Sequence, residues 1–103
     1  MIVSTLDLRP EHLEAVRLIL SRHVPGATVW AFGSRIRGTA KPHSDLDLAI
    51  RDLVSKDSDR LILLKDAFSE SDLPMKVDIV DLDSISPEFR ALIEAQYIPL
   101  QES

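Results

Sequence analysis

The segment Asp45-Leu46-Asp47-Leu48-Ala49-Ile50 constrains the fold more than any other. Its alternation has period two, the signature of a β-strand with one face in a core. Side chains two apart on a strand share a face. Asp45 and Asp47 therefore sit together, roughly 6.6 Å apart at about 3.3 Å per residue, while Leu46, Leu48 and Ile50 point the other way. Two like charges at that spacing repel by about 2.5 kcal/mol at an effective dielectric of ~20, and aspartate is disfavoured in strands. A fold that keeps both carboxylates has a use for them.

A third aspartate sharpens this. Lys76-Val77-Asp78-Ile79-Val80 reads as another strand, with Val77 and Ile79 on one face and Asp78 on the opposite one. If both apolar faces look into the same core, Asp45, Asp47 and Asp78 converge on the other side. Hard divalent cations suit such oxygen donors, and Mg²⁺ is often held by one or two carboxylates plus substrate phosphates. Three carboxylates can also serve a pair of ions, one bridging and the others flanking. An Asp-x-Asp alone would read as solvated charge; Asp78, isolated between apolar residues, shifts the balance.

The remaining chain supplies the layers around these strands. Pro10 suits a first helical turn, and Leu13, Val16 and Leu20 follow at helical spacing, widened by Ala15 and Ile19, until Pro25-Gly26. Thr28 to Phe32 is β-branched and aromatic and reads as a strand. Gly33 to Ser44 is a polar connection with room for a short helix. Ser58 to Ser71 reads as a helix with Leu61, Leu64 and Phe68 on one stripe. Ser86-Pro87 resembles a helix start, with Phe89, Leu92, Ile93 and Gln96 at i, i+3, i+4 and i+7. Tyr97-Ile98-Pro99-Leu100 reads as an extended tail. The expected fold is α/β (α+β), a small mixed sheet flanked by helices, forming one domain over residues 1–103.

Composition narrows the class. The chain has 103 residues, 45% hydrophobic, no cysteine, and a formal net charge of −5. Disulfides, thiolate zinc sites and cysteine nucleophiles are excluded. The overall acidity disfavours direct nucleic-acid binding, because phosphate backbones want a basic face. The strongest apolar run, Leu61 to Leu64, is far short of the ~20 residues that span a bilayer. Nothing at the N-terminus suggests export, so a cytoplasmic globular domain is expected.

Two of the chain's three glycines flank one turn, Gly33-Ser34-Arg35-Ile36-Arg37-Gly38, directly after the first strand. Glycine allows positive φ and close approach of backbone to a ligand. Ser34 adds a hydroxyl, and Arg35 and Arg37 add fixed positive charge suited to phosphate. The spacing mimics a P-loop, but Thr39-Ala40 stands where Lys-Ser/Thr is required, so an ordinary P-loop is rejected. His12, His23 and His43 lack metal-ligand spacing and read as surface residues. Trp30 reads as core, Tyr97 as packing, and Ser44 as a turn residue orienting Asp45.

Together, Gly33-Ser34-Arg35-x-Arg37-Gly38, Ser44-Asp45-x-Asp47-Leu48 and Asp78 resemble the minimal nucleotidyltransferases of the DNA polymerase β superfamily. The resemblance spans residues 29–80 and implies a polymerase β-like nucleotidyltransferase fold. It implies that Gly33 and Ser34 hold the β- and γ-phosphates of ATP or another NTP, with Arg35 and Arg37 beside the triphosphate. It further implies that Asp45 and Asp47 ligate two Mg²⁺ ions, and that Asp78 completes one metal site and helps deprotonate the attacking hydroxyl. Several members of that family are antitoxins to a HEPN-domain ribonuclease toxin, and some transfer AMP from ATP to a toxin tyrosine. The expected activity is such a transfer to a protein hydroxyl, by a homo- or hetero-oligomer. The alternatives are an antitoxin that neutralises by binding alone, and a transferase acting on a small molecule such as an aminoglycoside. A nucleotide-sugar glycosyltransferase would leave Gly33-Ser34 unexplained. The short chain has little left for an acceptor pocket, which favours an acceptor supplied by another chain.

Overall fold

A computed structural model describes residues 6–37, 44–51 and 58–101, without the side chains of Arg37 and Ser58. The elements in chain order are α1 (Pro10–His23), β1 (Thr28–Phe32), α2 (Ser34–Arg37), β2 (Leu46–Arg51), α3 (Ser58–Ser69), β3 (Val77–Asp81), α4 (Pro87–Ala95) and β4 (Ile98–Gln101). The four strands form one mixed sheet in the order β3-β2-β1-β4. β1 runs antiparallel to β2 and β4, and β2 runs parallel to β3.

Alternation along the strands separates two apolar clusters. Val29 and Ala31 of β1, Leu46, Leu48 and Ile50 of β2 and Ile79 of β3 face α1 and α3, where they meet Val16, Leu20, Leu64 and Phe68. This is the core anticipated from the period-two pattern. Opposite lies a smaller cluster of Trp30, Ala49, Leu82 and Ile93, with Val80 packed against it. α4 covers this second face. Its start is fixed chemically: Pro87 occupies the first turn, and the Ser86 hydroxyl oxygen accepts from the Phe89 backbone N–H at 3.2 Å, satisfying an otherwise orphaned donor.

Two features differ from the sequence reading. Residues 98–101 are not a free tail but the edge strand β4, paired with β1. Pro99 sits opposite Trp30 beside an irregularity in register, as an edge position tolerates a residue that donates no N–H. The Gln101 side-chain amide donates to the Val24 and Ala27 carbonyls at 2.8 and 2.9 Å, locking the strand's end to the α1–β1 turn. The stripe assigned to α4 is also not all core. Ile93 is buried, whereas Leu92 is 72% and Phe89 37% exposed. A short helix lying on a face already occupied by Trp30 and Ala49 buries only Ile93.

Candidate active site

β1 ends where β2 and β3 begin, and the residues with chemical potential gather at that end of the sheet. Phe32, the last residue of β1, pairs with Asp47. Asp47 in turn pairs with Asp78 across the parallel β2–β3 ladder. Neighbouring strands lie about 4.8 Å apart, so the two carboxylates are side by side on the α4 face. Asp45 is half-buried and lies immediately before β2. The Lys76 ammonium is 3.5 Å from an Asp78 carboxylate oxygen, and both side chains are well exposed. An exposed ion pair of this kind contributes at most about 1 kcal/mol, so it offsets only part of the repulsion between Asp47 and Asp78.

Gly33 follows β1 at φ +85°, the left-handed region that disfavours side chains. Its position is constrained a second way. A Cβ placed on Gly33 would run into the Asp47 carboxylate oxygen and lie 3.3 Å from Asp47 Cγ. The turn can take this path only because residue 33 has no side chain, and the carboxylate occupies the space a side chain would need. Ser34 then opens α2, and the Ile36 N–H returns to the Gly33 carbonyl at 3.2 Å.

Arg35 takes a position the sequence did not suggest. It is 6% exposed. Its Nε and Nη2 donate to the Ser44 carbonyl at 3.1 and 2.8 Å, and its Nη1 donates to the Asp7 carbonyl at 2.8 Å. The Asp7 N–H closes the loop by donating to the Arg35 carbonyl at 2.7 Å. The guanidinium thus ties the residue before Asp45 and the segment leading to α1 onto α2. This is a positioning task that the residue pattern did not indicate. The Arg37 side chain, Gly38 and His43 lie outside the described residues.

A cavity of about 430 Å³ opens beside these groups, between the end of β1 and α4, with Phe32, Gly33 and Asp47 on one wall and Phe89, Leu92 and Gln96 on the other. The sequence reading placed Phe89, Leu92 and Gln96 on a helical stripe but not beside Asp47. The spacing was visible; the packing of α4 on the carboxylate face was not. Phe89 meets Phe32 edge to face with ring centroids 5.9 Å apart.

The donor set is hard oxygen, the type Mg²⁺ prefers. Asp47 and Asp78 are register neighbours, and Asp45 stands two residues along the same chain. Among the described residues, no three acidic or histidine side chains are gathered as a complete metal-binding group. The oxygen donors present fit a divalent cation in their chemistry.

A profile described as "Polymerase beta, Nucleotidyltransferase" matches residues 14–102. The chain belongs to the polymerase beta nucleotidyltransferase family. Membership makes it an enzyme of the nucleotidyltransferase class. Among its nucleotidyltransferase relatives is a curated protein of Haemophilus influenzae named "Probable protein adenylyltransferase MntA", 48% identical over 102 residues, 94% of this chain and 85% of its own. A solved structure assigned as a minimal nucleotidyltransferase is 36% identical, with a TM-score of 0.68 over 86% of this chain and 89% of that one. A toxin–antitoxin complex solved with AMP-PNP holds a chain 26% identical, with a TM-score of 0.72 over 92% of this chain and 75% of that one. The mixed four-stranded sheet with its helices is the minimal nucleotidyltransferase fold. Among the described residues, no helix is long and apolar enough to cross a membrane.

Proposed function

We propose that this chain transfers AMP from ATP to a hydroxyl of a partner protein, and that it acts as the antitoxin of a HEPN-type ribonuclease toxin. The observation that carries the transferase reading is the register pairing of Asp47 with Asp78 beside a glycine whose missing side chain makes room for the Asp47 carboxylate. The partner reading draws on the similarity to MntA and to a toxin–antitoxin complex.

In this reading Gly33 and Ser34 hold the β- and γ-phosphates, and Arg37 lies beside them. Asp45, Asp47 and Asp78 would hold Mg²⁺. Magnesium, when bound, neutralises the triphosphate charge and acidifies a nearby hydroxyl. The acceptor oxygen attacks the α-phosphorus, a P–O bond forms, and the bond to the departing pyrophosphate breaks. Asp78, at the exposed edge strand β3, would take the hydroxyl proton. Such transfer rests on positioning and charge neutralisation and needs no side-chain nucleophile. That accords with a chain lacking cysteine. Arg35 acts at one remove, by setting the backbone from which Asp45 projects.

The test is incubation of the chain with each NTP, Mg²⁺ and its HEPN partner, followed by intact-mass measurement. An AMP adduct on the partner, abolished by chelating Mg²⁺, is expected. Tight complex formation with no adduct would replace catalysis with neutralisation by contact.

A further inference from the structure

The outer edge of the sheet carries an inference that rests on the transferase reading and extends it to how the acceptor is held. We propose that the free edge of β3, with the groove between β3 and α3, receives the hydroxyl-bearing segment of the acceptor protein as an added strand. The segment has apolar residues on either side of the hydroxyl residue and a carboxylate near it.

The backbone supplies the first argument. β3 ends the sheet, and among the described residues no strand lies beyond it. The Lys76 carbonyl accepts from the Leu46 N–H, and the Leu82 N–H donates to the Ile50 carbonyl, both at 2.9 Å. These two bonds fix the parity of the strand, because successive residues aim their backbone groups at opposite edges. Lys76, Asp78, Val80 and Leu82 face β2, and the N–H and C=O groups of Val77, Ile79 and Asp81 face outward. Such a row is a template for another strand.

The side chains supply the second. A cavity of about 450 Å³ lies along this edge, between β3 and the end of α3. Phe68, Leu73, Met75 and Val77 make it apolar, and the exposed Lys65 and Lys76 border it. In a chain of net charge −5, two lysines at one groove are a local reversal of sign that suits a carboxylate on the occupant. Asp78 also lines this cavity, which makes it continuous with the carboxylates of the candidate active site.

Register joins the two. On a strand added to β3, the residue opposite Asp78 shares its face, with Cβ atoms about 4.5–5.5 Å apart. A hydroxyl there is presented to the Asp78 carboxylate. Its oxygen forms the bond to the α-phosphorus, the bond to pyrophosphate breaks, and the proton passes to Asp78. The residues before and after it turn to the opposite face, where Phe68 and Leu73 meet them. Main-chain bonds hold the segment, so a short chain needs no closed acceptor pocket.

The test uses the full chain and its HEPN partner. Residue-resolved hydrogen exchange is followed by NMR with and without the partner. The Val77 and Ile79 amides are expected to slow about tenfold or more on complex formation, while those of Asp78 and Val80, already bonded to β2, change less. In AMP transfer, Lys65→Glu is expected to raise KM for the partner about fivefold. Val77→Pro removes one outward N–H at the first residue of the strand and is expected to raise it about tenfold. Both should leave kcat and ATP affinity unchanged. Lys65 is exposed on α3, so its variant carries the test if circular dichroism shows that Val77→Pro does not fold. Transfer with the Val77 and Ile79 amides unprotected, or with KM unmoved by Lys65→Glu, overturns the added strand and leaves the transferase reading standing. Protection that appears in the chain alone at high concentration assigns the edge to a second copy and also overturns it. A chain that neither transfers AMP nor binds ATP overturns both.

Discussion

Leu48 and Asp47 are adjacent in the chain but serve opposite faces of the sheet. The face covered by α1 and α3 is closed. Leu46, Leu48 and Ile50 are fully buried there against Val16, Leu20 and Leu64. The face covered by α4 is half closed. Trp30, Ala49, Leu82 and Ile93 make a small core in its middle, and beyond it Asp47, Asp78 and Gly33 stand at one end of the strands. The first face supplies burial, which stabilises the fold. The second keeps like charges close together, at an electrostatic cost that the exposed Lys76–Asp78 pair offsets only in part. One sheet can hold both because successive side chains on a strand point in opposite directions.

Substitutions on the two faces should therefore separate activity from stability. Asp47→Asn, on the open face, is expected to lower nucleotidyl transfer about a thousandfold, as loss of a group acting on transition-state charge does. Its thermal midpoint should stay close to that of wild type, since an amide keeps the shape of the carboxylate. Transfer retained in that variant would remove the carboxylates from the reaction. On the closed face, Leu48→Ala should cost about 3 kcal/mol in chemical denaturation, with kcat per folded molecule unchanged. A catalytic loss beyond the loss of folded protein would show that the faces are coupled.

Arg35 lies at the junction, and its replacement decides which face it serves. Arg35→Lys cannot reproduce three guanidinium bonds to the Ser44 and Asp7 carbonyls. It should lower stability by about 2 kcal/mol and impair transfer through Asp45, with little change in tripolyphosphate affinity. A stable variant that fails to bind tripolyphosphate would return Arg35 to the phosphates. The smallest effect belongs to Ser86→Ala, which removes the cap of α4. About 1 kcal/mol of stability should be lost, detected as faster hydrogen exchange in α4 than in α1.

Much of this was legible from residue pattern. The strand alternation at 45–50 and 76–80, the helical spacing from Pro10 and Ser58, and the Ser86-Pro87 start all correspond to observed elements within a few residues. These are local signals, set by which face of an element each residue occupies. The edge strand at 98–101 was not legible, because Ile98-Pro99-Leu100 has weak strand character and becomes a strand only when β1 offers an unpaired edge. The exposed part of the α4 stripe was missed for a related reason: periodicity shows which residues share a helix face, but not how much of that face another layer covers.

The candidate site divides along the same line. Residue order by itself determined that Asp47 and Asp78 oppose the apolar side of their strands and that a glycine follows β1, because side-chain direction in a strand and left-handed backbone are properties of a residue and its neighbours. Only the tertiary structure decided that Asp47 meets Asp78 in register, that its carboxylate fills the space beside Gly33, that Arg35 turns inward to hold Ser44, and that α4 brings Phe89 and Gln96 to the same cavity. Each of these depends on how separate elements are aligned and stacked, which is fixed by the burial of the whole core.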